Sequence, residues 1–248
     1  MAEHAIEIGE LAKVFGGLAA VDGVSLAVAS GERRVLIGPN GAGKTTLFHC
    51  VTGTLKPTRG RVRLFGRDVT HAPEHRRTAL GMGRTFQITN VFPELTLAEN
   101  LALAIVGTDG RKWVMHRPVE AFAEVRRQAL AGLEAVGLAG RADWPVKLVS
   151  YGERRQLELA LALNTRPKVL FLDEPCAGLS PSERQKISRM IADLPRDITL
   201  MMIEHDMDVA LGLADRVTVL HQGRVILEGS PDEVRANAQV RDVYFGHG

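Results

Sequence analysis

A mixed α/β fold is predicted, with a mostly parallel central sheet, an antiparallel β layer beside it and an inserted α-helical subdomain. Three features of the sequence carry this expectation. The first is Gly38-Pro39-Asn40-Gly41-Ala42-Gly43-Lys44-Thr45, a glycine-rich turn between the apolar run Val35-Leu36-Ile37 and the helix-opening stretch Thr46-Leu47-Phe48. The second is Val169-Leu170-Phe171-Leu172-Asp173-Glu174, four apolar residues followed by two acids, as in a parallel strand buried on both faces. The third is a change of period: stretches before residue 88 alternate like strands, whereas residues 88 to about 164 repeat at helical spacing.

The glycine-rich turn matches G-x-x-x-x-G-K-[ST] at every fixed position and therefore reads as a phosphate-binding loop. Glycines let the backbone N–H groups of Asn40, Gly41, Ala42 and Gly43 turn inward on phosphate oxygens, and the following helix, opening at Thr45 and Thr46, points its positive dipole end at the anion. Lys44 is expected to reach the β- and γ-phosphates, and the Thr45 hydroxyl to ligate Mg²⁺.

Composition limits the classes of function. The chain has 248 residues, 45% of them hydrophobic, enough for one large α/β domain or a core with an inserted subdomain. A formal charge of +2, from 31 basic and 29 acidic residues, gives no electrostatic case for a nucleic-acid partner. The two cysteines, Cys50 and Cys176, cannot make a zinc cluster and suit a reducing cytosol. The first residues lack the basic and apolar regions of a signal peptide, and no apolar run is long enough to span a bilayer, so a membrane role is expected to act through partner chains.

Taken in order, Ile6–Leu11 and Val24–Val28 alternate as half-buried strands of the β layer, with Phe15 in the loop between them. Phe15 is either a core or edge residue or an adenine-stacking one. Arg61–Gly66 continues the alternation. Thr96-Leu97-Ala98-Glu99 has capping-box spacing before a helix from Asn100 to Val106, which Gly107-Thr108-Asp109-Gly110 is expected to break. An amphipathic helix follows over Val119–Val136. Ser150-Tyr151-Gly152-Glu153 repeats the S-x-x-E spacing ahead of the apolar-rich segment to Leu163. After Asp173-Glu174 come a helix over Pro181–Leu194, a strand over Ile198–Ile203 ending at Glu204-His205-Asp206, a short helix over Val209–Ala214, a hairpin of Arg216–Leu220 with Arg224–Glu228, and a capped helix from Ser230. Strand, helix and strand in succession imply a right-handed parallel crossover.

With the phosphate loop, Gln87, the Ser150 segment, Asp173-Glu174 and His205 in this order, nearly the whole chain resembles a nucleotide-binding subunit of the ATP-binding cassette (ABC) transporters. The resemblance implies a P-loop NTPase core formed by residues 1–87 and 165–248 together with the antiparallel layer, and a helical signature subdomain over residues 88–164. The family's signature, usually Leu-Ser-Gly-Gly-Gln, reads Val149-Ser150-Tyr151-Gly152-Glu153 here, so Tyr151 replaces a glycine and Glu153 the Gln. A negative Glu153 near an anion would cost affinity unless it turns back to cap Ser150. Tyr-Gly in the signature, Glu174-Pro175-Cys176-Ala177-Gly178-Leu179 and the stretch Leu227–Asn237 are similar to the branched-chain amino-acid importers of the family. Ser180 stands where the family commonly has an acid.

The resemblance further implies that Phe15 stacks on adenine, Lys44 neutralises the phosphates, and Thr45, Gln87 and Asp173 place Mg²⁺. It implies that Glu174 polarises the attacking water, and that His205 contacts the γ-phosphate and holds water and Glu174 in line. Ser150 and Gly152 would close over the ATP held by a second nucleotide-binding subunit, identical or paralogous. The expected partners are that subunit, two integral-membrane permease subunits and, indirectly, a periplasmic or extracellular solute-binding protein. The expected location is peripheral, on the cytoplasmic face of the cell membrane. Two other readings stay open: an ABC-type ATPase acting on nucleic acid or ribosomes, and a regulatory nucleotide switch.

Overall fold

Alternating apolar residues build the first layer. In the computed structural model, which describes residues 4–85, 91–108 and 119–245, strands β1 (His4–Phe15) and β2 (Leu18–Ala29) form a long antiparallel hairpin. Pairings such as Ile6 with Val28 and Ile8 with Leu26 line up its buried side chains. β4 (Arg59–Leu64) pairs with the other edge of β1, and β5 (Arg67–Asp68) ends the sheet in the order β2-β1-β4-β5. Phe15 does not lie in a loop: it is the last residue of β1 and pairs with Leu18 across Gly16-Gly17. Register shifts after Ile8 and Leu11 carry the pairing past the point where strict alternation stops, so the strands run longer than their pattern predicts.

The second sheet has the order β10-β9-β3-β8-β7-β6 among the described residues. Its strands are β3 (Arg33–Ile37), β6 (Met82–Arg84), β7 (Val169–Asp173), β8 (Thr199–Ile203), β9 (Arg216–His221) and β10 (Arg224–Gly229). All pairs are parallel except the β9–β10 hairpin. β3 begins before its apolar run, since Arg33 and Arg34 are buried strand residues. Arg34 is held by Glu32 at 2.6 Å, the Thr218 hydroxyl at 2.9 Å and Glu228 at 3.0 Å, so burial of its charge is matched by acids and an acceptor.

Helix α1 (Lys44–Thr52) lies between the two sheets. Leu47 and Phe48 are fully buried there, each contributing about 2 kcal/mol of hydrophobic stabilisation, and the Phe48 ring meets Phe171 of β7 edge-on at 5.3 Å. Helices α6 (Pro181–Ala192), α7 (Met207–Leu213), α8 (Pro231–Ala236) and α9 (Ala238–Phe245) cover the other face of the parallel sheet. A third apolar cluster joins α3 (Leu97–Thr108), α4 (Val119–Ala135) and α5 (Tyr151–Asn164). α5 is shared between clusters: Leu157 and Ala160 face the helices, Leu159 and Ala162 the sheet. The Thr96–Glu99 capping box starts α3, which runs through Gly107 to Thr108 rather than breaking at Gly107; Asp109 and Gly110 lie outside the described residues. No helix among the described residues is long and apolar enough to cross a membrane.

Three short elements had no periodic signal long enough to read. β6 is three residues beside Gly81, and only its pairing with β7 makes it a strand. α9 and α2 (Glu74–Ala79) are likewise short. α2 nonetheless delivers Arg77, 1% exposed, to the end of α1. Its guanidinium donates to the carbonyls of Cys50 (3.1 Å), Val51, Thr70 (3.2 Å) and Ala72 (3.0 Å), placing a cation at the negative end of the α1 dipole. Arg77→Met is expected to strand these acceptors and to lower the unfolding free energy by about 3 kcal/mol, measured by urea denaturation.

Candidate active site

The carboxyl ends of three adjacent parallel strands, β3, β7 and β8, bring the predicted polar residues together. β3 runs into the loop Gly38–Gly43, and α1 starts at Lys44 with no side-chain cap on its N-terminus. Gly43 has φ 98°, and a Cβ there would stand 2.2 Å from the Ala20 carbonyl of β2, so only glycine lets the loop pass this close to the β layer. The Lys44 side chain is buried and folds back over the loop, donating to the carbonyls of Gly38 at 2.6 Å and Pro39 at 3.0 Å. Burial lowers its pKa, against the opposing pull of Glu174 and then Asp173.

Asp173 closes β7 at 1% exposure, and neither of its carboxylate oxygens has a hydrogen-bond partner. Burial, and next the charge of Glu174, push its pKa up to about 6. An ionised acid left partnerless beside a buried lysine is a site for a further cation, and Mg²⁺ with its preference for oxygen ligands fits it. Among the described residues no group of three or more His, Cys, Asp or Glu could hold a metal alone, so most oxygens would have to come from a phosphate ligand, water and hydroxyls such as that of Thr45.

Glu174 follows in a left-handed conformation, φ 48°, which costs a non-glycine residue roughly 1 kcal/mol or more. Its N–H donates to the Ile203 carbonyl at 3.0 Å, so β8 fixes the turn that aims the side chain. Oε1 of Glu174 lies 2.5 Å from Nε2 of His205, which stands just past the end of β8. The acid and the imidazole thus form a partly exposed pair within electrostatic reach of Lys44 and Asp173.

Ser150 and Gly152 are not brought into this cluster. They open α5 and line a separate cavity in which none of Lys44, Asp173, Glu174 and His205 takes part. Ser150 is exposed and caps α5: its Oγ accepts from the Glu153 N–H at 3.2 Å, and Glu153 accepts from the Ser150 N–H at 2.8 Å. The Glu153 carboxylate therefore turns back onto the cap. Gly152 is buried under Glu183 of α6, whose Oε1 would lie 2.4 Å from a Cβ at this position. Tyr151 is exposed with its ring against Gly178, and Ser180 forms a capping box with Glu183 at the start of α6. Phe15 is 46% exposed at the hairpin tip, with Lys13 Nζ 4.9 Å from its ring centroid. Gln87 lies outside the described residues; β6 leads towards it, and Thr85 N–H donates to the Phe171 carbonyl at 3.0 Å.

Two residues of the site escaped the sequence reading. Glu204, 3% exposed, accepts from the N–H groups of Cys176 (3.1 Å), His205 (3.0 Å) and Asp206 (3.5 Å), tying the turn after Glu174 to the one bearing His205. An acid ending an apolar strand was visible, but its bonds depend on a turn 28 residues away. Tyr244 of α9 lies against the backbone of Gly38, and burial pushes its pKa up to about 12; no sequence pattern links it to the phosphate loop.

A glycine turn between a parallel strand and an uncapped helix, with an acid pair at the end of the next strand but one, defines a phosphate-loop nucleotide-binding protein. Family models match residues 21–177, as ABC transporter, and residues 224–248, as branched-chain amino acid ATP-binding cassette transporter. The chain is 38% identical, over 99% of both chains, to the high-affinity branched-chain amino acid transport ATP-binding protein BraF of Pseudomonas aeruginosa. It is 37% identical, again over 99% of both, to the corresponding protein LivG of Escherichia coli. A crystal structure of the ADP conformation of an ATP-binding cassette of an ABC transporter superposes with a TM-score of 0.87 at 31% identity, covering 98% of this chain and 99% of that one. A dimeric cassette bound to ADP and Pi gives 0.77 at 25% identity, covering 91% of this chain and 98% of that one. The chain belongs to the ABC transporter family, as an ATP-binding subunit.

Because the folded-state pKa of Asp173 is raised from 3.8 to about 6, ionising it costs the folded chain stability as pH rises through that window, and the full cost is present above about pH 7. Asp173→Asn is therefore expected to stabilise the nucleotide-free protein by up to about 3 kcal/mol at pH 8. Thermal melts across pH should find the gain shrinking towards pH 4, and Mg-ATP should no longer raise the melting temperature of the variant as it does for the parent.

Proposed function

We propose that this chain is the ATP-hydrolysing subunit of an ABC importer, and that two such cassettes drive uptake of branched-chain or related amino acids through separate integral-membrane permease subunits. One observation carries the reading. Lys44, the partnerless Asp173 and the Glu174–His205 pair stand within electrostatic reach of one another, while Ser150 stands exposed at the start of another helix, free to face a second subunit. The substrate class rests on the branched-chain transport relatives and on the match of residues 224–248. Those relatives are transport proteins, which favours import over an action on nucleic acid or ribosomes.

In this reading residues 1–87 and 165–248 form the catalytic core and residues 88–164 the signature subdomain. The N–H groups of Asn40 to Thr46 cradle the phosphates, Lys44 leaves its loop carbonyls for the β- and γ-oxygens, and Phe15 stacks on adenine. Thr45, Asp173 and Gln87 would hold Mg²⁺, which neutralises charge building on the phosphates. Glu174 takes the position of the base that orients and polarises water, and His205 holds Glu174 and the γ-phosphate in line. Ser150 and the first turn of α5, in the opposite subunit, donate to the γ-phosphate and complete the site. Catalysis then rests on positioning and on charge stabilisation rather than on covalent chemistry. The complex sits on the cytoplasmic face of the membrane, with an extracellular or periplasmic solute-binding protein delivering substrate.

Glu174→Gln is expected to bind ATP normally, lose at least 99% of turnover, taken as roughly a hundredfold effect of removing a general base, and accumulate as a nucleotide-bound dimer in sedimentation velocity; parental turnover in this variant would remove Glu174 from the catalytic role. Ser150→Arg should keep single-chain ATP affinity and lose ATP-driven dimerisation, and an intact dimer by light scattering would count against the cross-subunit assignment.

A further inference from the structure

The cavity beside Ser150, about 570 Å³ in volume, carries four charged side chains that the proposed catalysis does not use: Arg141, Glu153, Glu183 and Lys186. Two acids and two bases balance. Glu183 caps its own helix through Oε2, accepting from the Ser180 N–H at 3.0 Å and the Ser180 hydroxyl at 2.6 Å, while its Oε1 lies against Gly152 in the first turn of α5. Lys186 Nζ donates to Gln156 at 3.2 Å. Glu153 also stands at the start of α5, with its carboxylate bonded to the cap residue Ser150 itself. An anion approaching that helix end would meet a full negative charge.

Arg141 removes that obstacle. Its Nε lies 2.9 Å from Oε1 of Glu153, on the oxygen that the cap leaves over. The guanidinium is also stacked on the Trp144 ring, 4.4 Å from the centroid, which fixes it against a side chain three residues away. Trp144 is in turn held in place by its carbonyl, which accepts from the Leu97 N–H at 3.0 Å where α3 begins. A chain of contacts thus runs from Trp144 through Arg141 and Glu153 to Ser150.

We infer that Arg141 is a positioning residue for the reaction: acting through Glu153, it neutralises the one acid of the signature turn so that Ser150 can receive the γ-phosphate of ATP bound to a second copy. This rests on the two-subunit site proposed above. It also accounts for an acid standing where the family usually has a neutral glutamine, since Glu153 and Arg141 together add no net charge at the start of α5.

The test measures Mg-ATP-driven self-association by sedimentation velocity in chains carrying Glu174→Gln, which removes turnover from the readout. Arg141→Gln is expected to weaken association on the order of tenfold, the scale of one unneutralised charge near a phosphate. The defect should shrink as salt is raised from 50 to about 500 mM, through screening. Adding Glu153→Gln should restore association to within about threefold of the parent, because glutamine still serves a capping box and no charge remains. Arg141→Lys should keep most of the association. A fluorescent ATP analogue should bind each single chain as it binds the parent. The inference is overturned if Arg141→Gln associates like the parent, or if Arg141→Gln and the double variant are equally impaired at every salt concentration. Failure of the underlying two-subunit reading looks different: the Glu174→Gln parent would stay monomeric with Mg-ATP, or would associate equally well with Ser150→Arg, and either result removes the role of Arg141 with it.

Discussion

Lys44 and Asp173 are buried at the ends of β3 and β7, which flank β8, and neither makes an ion pair at contact distance within the chain among the described residues. Lys44 is turned onto two carbonyls of its own loop, and both oxygens of Asp173 lack a donor. Away from water such groups are costly, and a triphosphate with a divalent cation would supply the missing charge of each. The order β3-β8-β7 brings the carboxyl ends that carry them to one end of the sheet. The packing of α1 between two sheets, clamped at its far end by Arg77, keeps the phosphate loop at that crevice.

The turn from Glu174 to Leu179 and the turn around His205 work as a unit. Strain at Glu174 is held by β8, Glu204 ties the two turns together from below, and Arg184 of α6 reaches Asp206 at 2.5 Å. α6 in turn carries Glu183 onto Gly152, and Gly178 of the first turn touches Tyr151. Movement at the acid–histidine pair is thereby linked to the start of α5. α5 packs on both the sheet and the helical cluster, so it joins the core to the helices by continuous contact.

Local chemistry was legible in the residues. The phosphate loop, the buried strand ending in Asp173-Glu174, and the capping boxes at Thr96 and Ser150 each use residues a few positions apart, so pattern alone exposes them. Signals failed where an element owes its existence to a distant partner. β6 is a strand because β7 lies beside it, and Phe15 ends a strand because bulges keep β1 paired after its alternation stops. Arg33 and Arg34 hid the start of β3, because a charged residue reads as exposed until its partners are known.

By itself the sequence determined the class of fold and the phosphate-loop turn, since short-range pattern encodes these, while Asp173, Glu174 and His205 were singled out by the resemblance of the ordered motifs to the family. Tertiary structure alone decided that Glu174 meets His205, that Glu204 joins their two turns, that Tyr244 reaches Gly38 and that Arg141 cancels Glu153. These pairs come from different parts of the fold, and Arg141, at the end of a short 3₁₀ helix, meets Glu153 of α5 only once the intervening turn folds. Their contacts depend on how elements pack, and packing is a property of the whole core rather than of any stretch within it.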